Sequence, residues 1–205
     1  MTMHHGLAVA RTPHESQIPI LLSTRRHEDA RGWFVESYNA RRLAQHGVTC
    51  EFVQDNQSLS RRRGTIRGLH FQLPPKAQAK LVRAVRGSIL DVAVDIRRDS
   101  PTFGHSVAAE LSAENGWQLY VPIGFAHGFC TLEDDTEVAY KVSEFYSPQD
   151  DAGLHWDDPD ISIAWPVTPS DVVVSDKDAV LPLLAQFASN FRYHGEPLAP
   201  LMIKG

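Results

Sequence analysis

Disulfides, membrane spans and basic surfaces are all scarce in this sequence. Two cysteines, Cys50 and Cys130, stand among 205 residues. They are too few for a disulfide scaffold, and a reducing cytoplasm is the simplest home for them. No apolar run approaches the roughly 20 residues that a membrane helix needs, so no membrane attachment is expected. The stretch from Met1 to Ala10 lacks a basic start followed by an apolar segment, and no export signal is expected there. Positive charge is short as well: 20 Lys and Arg face 25 Asp and Glu, a net charge of −5. A nucleic-acid partner is therefore not the expectation, and an anionic small molecule would need a local basic cluster to offset the balance. A GxGxxG loop and a βαβ alternation are both missing, which argues against a Rossmann fold. No internal repeat or low-complexity linker is visible. What remains is ordinary: 42% hydrophobic and 22% charged residues, a composition that excludes disorder and suffices for one domain with a buried core.

The rhythm that is present has period two, the signature of strands. Leu90, Val92, Val94 and Ile96 alternate with Asp91, Ala93 and Asp95. Trp117, Leu119, Val121 and Ile123 alternate with Gln118, Tyr120 and Pro122, and Val138, Tyr140 and Val142 share one face of a third run. Shorter candidates run over 52–59, 65–71, 81–85, 107–111, 129–132 and 161–165. Turn signals separate them at Gly64, Pro74-Pro75, Gly87, Ser100-Pro101, Asn115-Gly116, Asp134-Asp135 and Ser147-Pro148. Helix is scarce. One short helix is expected over Ala40 to His46, with Asn39 as cap and Gly47 as stop, and a second after Ser175. The pattern predicts a mainly β sandwich or barrel with a few short helices. One domain is expected over 1–205, with a core from about 20 to 184 and a C-terminal extension, 185–205, lying on the surface or serving as a partner-binding arm.

Three clusters carry chemistry: Arg61 to Gln72, Gly116 to His127, and Tyr140-Lys141. In the second, Gly116, Pro122, Gly124 and His127 have the spacing G-x5-P-x-G-x2-H, which resembles the second motif of the cupin superfamily, a small jelly-roll barrel. Glycine and proline turn the chain at a hairpin, and the histidine then points into the barrel mouth. Metal-binding cupins also carry an H-x-H pair in their first motif. Here the corresponding place reads Leu69-His70-Phe71-Gln72. His70 and His127 supply two ligands where a catalytic first-row metal usually takes about three, so no metal cofactor is expected.

A wider set is more specific. It comprises Arg31-Gly32-Trp33-Phe34-Val35-Glu36-Ser37-Tyr38-Asn39, Gln54-Asp55-Asn56, Arg67-Gly68-Leu69-His70-Phe71-Gln72, Lys80-Leu81-Val82-Arg83, Asp91-Val92-Ala93-Val94-Asp95-Ile96-Arg97, Ser100-Pro101-Thr102-Phe103-Gly104 and Pro122-Ile123-Gly124-Phe125-Ala126-His127-Gly128-Phe129. In order and near-family spacing these closely resemble the dTDP-4-dehydrorhamnose 3,5-epimerase family, from about Ile20 to Leu184. The resemblance implies a cupin-type jelly-roll barrel. It also implies conversion of dTDP-4-keto-6-deoxy-D-glucose to dTDP-4-keto-L-rhamnose, a step toward dTDP-L-rhamnose. The hydrogens on sugar carbons 3 and 5 flank a ketone at carbon 4, and removing either gives an enolate that the carbonyl stabilises. Such chemistry needs a base on one face, an acid on the other, and positive charge near the developing oxyanion.

The resemblance implies His70 as the base, a residue type with an ordinary pKa of about 6.5 that accepts a proton near neutrality. It implies Lys80 as the cation at the enolate oxygen, Tyr140 as the acid on the opposite face, and Asp178 as the carboxylate that fixes the His70 tautomer. Read alone, the same residues are a packed strand histidine, a solvated strand lysine, a core tyrosine with its hydroxyl at the rim, and the second half of a Ser175-x-x-Asp178 capping box. For binding, the resemblance implies Arg67 on the diphosphate through a bidentate guanidinium, Arg31 and Glu36 at the nucleotide, Gln54 and Asn56 as polar contacts, and Lys177 at a further binding position. His127 would bond the sugar or satisfy a barrel-end carbonyl, and Tyr146 would stack on thymine or stand as a rim aromatic of the sandwich. Where the family has a Glu after Ser-Pro, this chain has Asp150-Asp151. Arg61 to Arg63 read as a solvated turn. Alternation puts Arg67 and His70 on opposite faces of a strand, so a shared pocket requires a bulge, expected at Gly68. The resemblance further implies a homodimer whose N-terminal strand, carrying Arg31 and Glu36, reaches the neighbouring active site. Alternatives are an epimerase acting at carbon 3 only, a ketoisomerase on a related dTDP-4-keto-6-deoxyhexose, a non-catalytic sugar-nucleotide-binding cupin, and a metal-dependent oxygenase that the missing H-x-H argues against.

Overall fold

Most of the period-two segments become strands. The computed structural model describes residues 15–168 and 170–205; residues 1–14, which include the stretch read above for an export signal, and residue 169 lie outside the described residues. In chain order the elements are β1 (Ile20–Leu22), β2 (Arg26–Asp29), β3 (Gly32–Val35), α1 (Ala40–Gln45), β4 (Gln54–Ser60), β5 (Ile66–Gln72), β6 (Lys80–Arg86), β7 (Ser88–Asp95), β8 (Ser106–Ser112), β9 (Gln118–Val121), β10 (Phe125–Thr131), β11 (Thr136–Val142), β12 (Asp151–Gly153) and β13 (Ile203–Lys204). One sheet has the order β13-β1-β9-β6-β11-β4, the other β12-β5-β10-β7-β8, and β2-β3 form a separate hairpin. Pairing is antiparallel except between β1 and β13. The fold is mainly β, as the sequence predicts, with the two sheets packed face to face in a jelly-roll barrel.

The central core interleaves both sheets: Leu21, Val82, Leu119, Val121 and Val138 from one meet Ile89, Ala93, Leu111, Phe125 and Phe129 from the other. Part of each outer face is covered too. Tyr120, Leu81, Ile20 and Leu22 pack beneath Val48 and Leu43 of the α1 region. Val92, Val94 and Ile96 pack outward against Leu154, Ile161, Leu184 and Phe191. The apolar stripe of β7 thus faces the covering segment, while Asp91 and Ala93 turn into the barrel. This inversion brings the Asp91 carboxylate against His127.

Local expectations fare unevenly. Asn39 caps α1, its side chain accepting from the Arg41 and Arg42 amides, and Gly47 stops it with φ +87°. The helix expected after Ser175 is reduced to one 3₁₀ turn, Asp178–Val180. The strand expected over 161–165 does not form. Instead the buried Asp158 carboxylate accepts from the amides of Asp160 (2.8 Å), Ile161 (3.0 Å) and Leu184 (2.6 Å). That turn uses the backbone donors a strand would need and drops Ile161 into the outer core. Past Leu184 the chain lies along the barrel: Phe191 is buried edge-on to Phe71, and β13 extends the first sheet with Leu21 beside Ile203. Among the described residues no helix is long and apolar enough to cross a membrane.

Candidate active site

The site begins with a defect in β5. Opposite β10, His70 pairs with His127 and Arg67 with Phe129, so three steps along β5 match two along β10. The extra residue is the bulge that the Arg67–His70 spacing requires. Gly68 stands there with φ +134°, and a Cβ on it would lie 2.6 Å from Gly128 Cα and 2.9 Å from the His127 carbonyl oxygen. Only glycine fits both the backbone and the space. The bulge turns Arg67 and His70 toward the same side, and both line a cavity of about 490 Å³ together with Lys80, His127, Tyr140, Lys177 and Asp178.

His70 Nε2 and Asp178 Oδ1 are 2.8 Å apart. Asp178 Oδ2 accepts from the Gly68 amide at 3.2 Å, and the Asp178 amide donates to Ser175 Oγ at 3.1 Å. The serine half of the capping box therefore forms, but the aspartate side chain leaves it for the histidine. Burial alone would raise the Asp178 carboxyl; its hydrogen bonds to His70, Gly68 and Ser175 and the His70 charge outweigh burial and hold it below its ordinary value.

Lys80, on β6, is almost fully buried, and its Nζ donates to the His70 carbonyl oxygen at 3.1 Å. Burial pulls its pKa down to about 8, against the attraction of Asp91 and Asp151. His127 lies beside it, with Nε2 at 2.8 Å from Asp91 Oδ1. Burial lowers the His127 pKa, opposed by Asp91 and reinforced by Lys80 and His70, which favours the neutral ring. The partner of His127 is thus a buried carboxylate, and among the described residues no barrel-end carbonyl accepts from it. Asp91 is a residue the sequence reading missed. It looked like the solvent side of an alternating strand, and only the covering of both faces of β7 shows otherwise. Tyr140 projects from β11. Burial raises its phenol, Arg67 lowers it and Asp151 raises it, with a net rise; the group is a proton donor at neutral pH.

The rim is polar. Arg67 donates through Nε to Ser60 Oγ (3.1 Å) and through Nη2 to the Leu59 carbonyl (3.1 Å). Asp151 Oδ2 accepts from Tyr146 Oη at 3.1 Å and from Lys177 Nζ. Of the acidic pair noted in the sequence, Asp151 therefore organises the rim, while Asp150 accepts from Ser147 Oγ. Gln54 and Asn56 bond each other at 2.8 Å, and the Gln54 side-chain oxygen accepts the Tyr146 amide at 3.1 Å. Neither lines the His70 cavity; Asn56 lines an adjoining groove that shares Tyr140 with it. Arg31 and Glu36 are not brought to the cavity of their own chain: Arg31 is paired with Asp29 at 2.6 Å and Glu36 with Arg42 at 3.6 Å. Of Arg61 to Arg63, none lines the cavity, and all three are exposed in the turn before β5. Among the described residues, no three His, Cys, Asp or Glu side chains are grouped to hold a metal ion.

Comparison with known proteins identifies the family. A family model described as dTDP-4-dehydrorhamnose 3,5-epimerase matches residues 17–186. The dTDP-4-dehydrorhamnose 3,5-epimerase of Sinorhizobium fredii is 51% identical over 173 residues, 84% of this chain and 88% of that protein. The crystal structure of the Bacillus anthracis dTDP-4-dehydrorhamnose 3,5-epimerase with TDP and PPi bound is similar with a TM-score of 0.78 and 55% identity, covering 80% of this chain and 93% of that one. The dTDP-6-deoxy-D-glucose-3,5-epimerase of Legionella pneumophila, in complex with dTDP-4-keto-L-rhamnose, has a TM-score of 0.82 and 41% identity, covering 89% and 98%.

Proposed function

The chain belongs to the dTDP-4-dehydrorhamnose 3,5-epimerase family, and from that premise we propose that it epimerises dTDP-4-keto-6-deoxy-D-glucose at carbons 3 and 5 by proton transfer beside the 4-ketone. The observation that carries the reading is that His70 projects from β5 of one sheet and Tyr140 from β11 of the other into the same cavity. A flat sugar ring held between the sheets meets a base on one face and an acid on the other, which is what inversion at carbon requires.

Asp178 accepts the Nε2 hydrogen of His70, so the lone pair stands on Nδ1, and the carboxylate stabilises the imidazolium that forms. His70 Nδ1 takes the hydrogen from the carbon beside the ketone, and the electron pair moves into the carbonyl as an enolate. The Lys80 ammonium stabilises that oxygen, with the stronger effect that a charge has out of water. Tyr140 then delivers its phenolic proton to the opposite face of the same carbon. At the end of one inversion His70 holds an extra proton and Tyr140 lacks one; exchange with solvent restores both before the second carbon reacts. Arg67 and Lys177 provide cations for the diphosphate, and Tyr146 an aromatic face at the rim for the base. His127 bonds the sugar, and Gln54 and Asn56 supply polar contacts in the adjoining groove.

The functional unit is a homodimer. The β2–β3 hairpin exposes Trp33 and Phe34 at 55% and 70%, more apolar surface than a two-stranded ribbon can bury alone, and it carries Arg31 and Glu36 to the neighbour's site. With both cysteines free, the enzyme works in the cytoplasm. The test of function is solvent deuterium exchange with the dTDP-keto sugar. Label at carbons 3 and 5, abolished in His70→Ala, is expected; label at carbon 3 alone would make it a single-centre epimerase. No exchange by the folded wild-type protein would overturn the reading.

A further inference from the structure

We propose that Ser58 is a further binding residue of this site, its hydroxyl donating to an oxygen of the sugar-proximal phosphate of the substrate. The inference rests on the dTDP-sugar reading above and adds a contact that neither motif nor resemblance supplies. Ser58 lies in the middle of β4, where exposure alternates: Asp55, Gln57 and Leu59 face out, while Gln54, Asn56, Ser58 and Ser60 face in. In register, Asn56 stands opposite Tyr140 and Ser58 opposite Val138. Ser58 therefore lies one inward step past Tyr140, and it lines the same cavity as His70, Lys80 and Arg67.

Two observations distinguish it from an ordinary wall serine. First, its Oγ is buried and makes no hydrogen bond; among the described residues Asp91 Oδ2 is the other buried side-chain atom in that condition. Buried hydroxyls are nearly always paired, and leaving one unpaired is costly, so an idle hydroxyl in a cavity wall calls for a partner that binding brings. Second, the next two residues in sequence hold the guanidinium: the Leu59 carbonyl and Ser60 Oγ both accept from Arg67. Ser58 thus adjoins the cation that the diphosphate would meet, on the side toward Tyr140 and the reacting sugar. A serine hydroxyl steps among three staggered positions about Cα–Cβ, so a side chain that lines the cavity can turn its oxygen to a ligand. An O–H beside a guanidinium suits an anionic phosphate oxygen, and the phosphate nearer the sugar is the one within this step of Tyr140.

The experiment is calorimetric binding of dTDP and dTMP to the full-length protein and to Ser58→Ala. The variant is expected to bind dTDP about tenfold more weakly and dTMP unchanged, the loss being that of one hydrogen bond to a charged group. Its melting temperature is expected to be equal or higher, because an unpaired hydroxyl has left the wall. Equal dTDP affinity with a higher melting temperature would make Ser58 an idle wall residue and overturn the proposal, as would an equal loss for dTMP. A wild-type protein that binds neither nucleotide would instead bring down the substrate reading itself, and this inference with it.

Discussion

Lys80 shows most directly how a residue acquires a role from its surroundings. As a sequence element it is one lysine at the start of a strand. Buried against the His70 carbonyl it titrates at about 8, where a free lysine stays charged two pH units higher. Because desolvation depresses the folded value, the ammonium is present below about pH 8 and is lost as pH rises through it. Turnover that depends on this charge is expected to fall on the alkaline side with a midpoint near that value. Replacement Lys80→Met should lower kcat by about a hundredfold, a typical loss for one oxyanion-stabilising group, and should erase that alkaline limb. A pH–rate profile of both proteins checks this, and an unchanged limb in the variant would remove Lys80 from the chemistry. Asp178 illustrates competing local signals. Its spacing from Ser175 satisfies a capping box, yet the carboxylate spends its oxygens on His70 and Gly68, because an imidazole and a buried amide reward a charge more than a short 3₁₀ turn does.

At the scale of elements, β5 is the part that a wrong residue breaks. Its bulge depends on Gly68, whose positive φ and close approach to Gly128 leave no room for a side chain. Gly68→Ala is expected to cost on the order of 3 kcal/mol, combining backbone strain with a clash. It should also reduce activity far more than stability alone explains, because restoring the regular pleat sends Arg67 and His70 to opposite faces. Urea unfolding and the turnover of the folded fraction measure the two effects separately. The bulge was legible beforehand because two wanted residues sat three apart on a strand of period two. The irregular segment after Asp158 was not legible. Ile161 to Trp165 alternates as a strand would, and nothing local announces that one carboxylate will take three amides.

For the whole molecule, the open question of function is which residues serve which chain. The hairpin that carries Arg31 stands apart from its own cavity, with the Arg31 side chain 89% exposed, which is the geometry of an arm that acts in trans. Under the proposed dimer, mixing His70→Ala with Arg31→Ala under subunit exchange is expected to restore activity. Half of the dimers are mixed, and each has one site with both residues intact, so about a quarter of the wild-type rate is expected in a symmetric dimer. Size-exclusion chromatography with light scattering establishes the dimer, and no recovery on mixing would show that Arg31 acts in its own chain or not at all. The segment past residue 186, beyond the family match, packs Phe191, Leu198 and Leu201 onto the barrel.

The sequence by itself determined a mainly β fold, the capped α1 and the need for a bulge between Arg67 and His70, and its run of motifs singled out His70, Lys80, Tyr140 and Asp178 as candidates. Each of these is written in local spacing or in a run of motifs. Tertiary structure alone decided that Asp91 is buried beneath His127, that Asp151 gathers the rim, that Ser58 is left without a partner, and that 161–165 coils. Those facts depend on which face of an element another element covers, and burial, which sets the worth of every charge and hydroxyl here, is a property of the packed chain and not of any stretch of it.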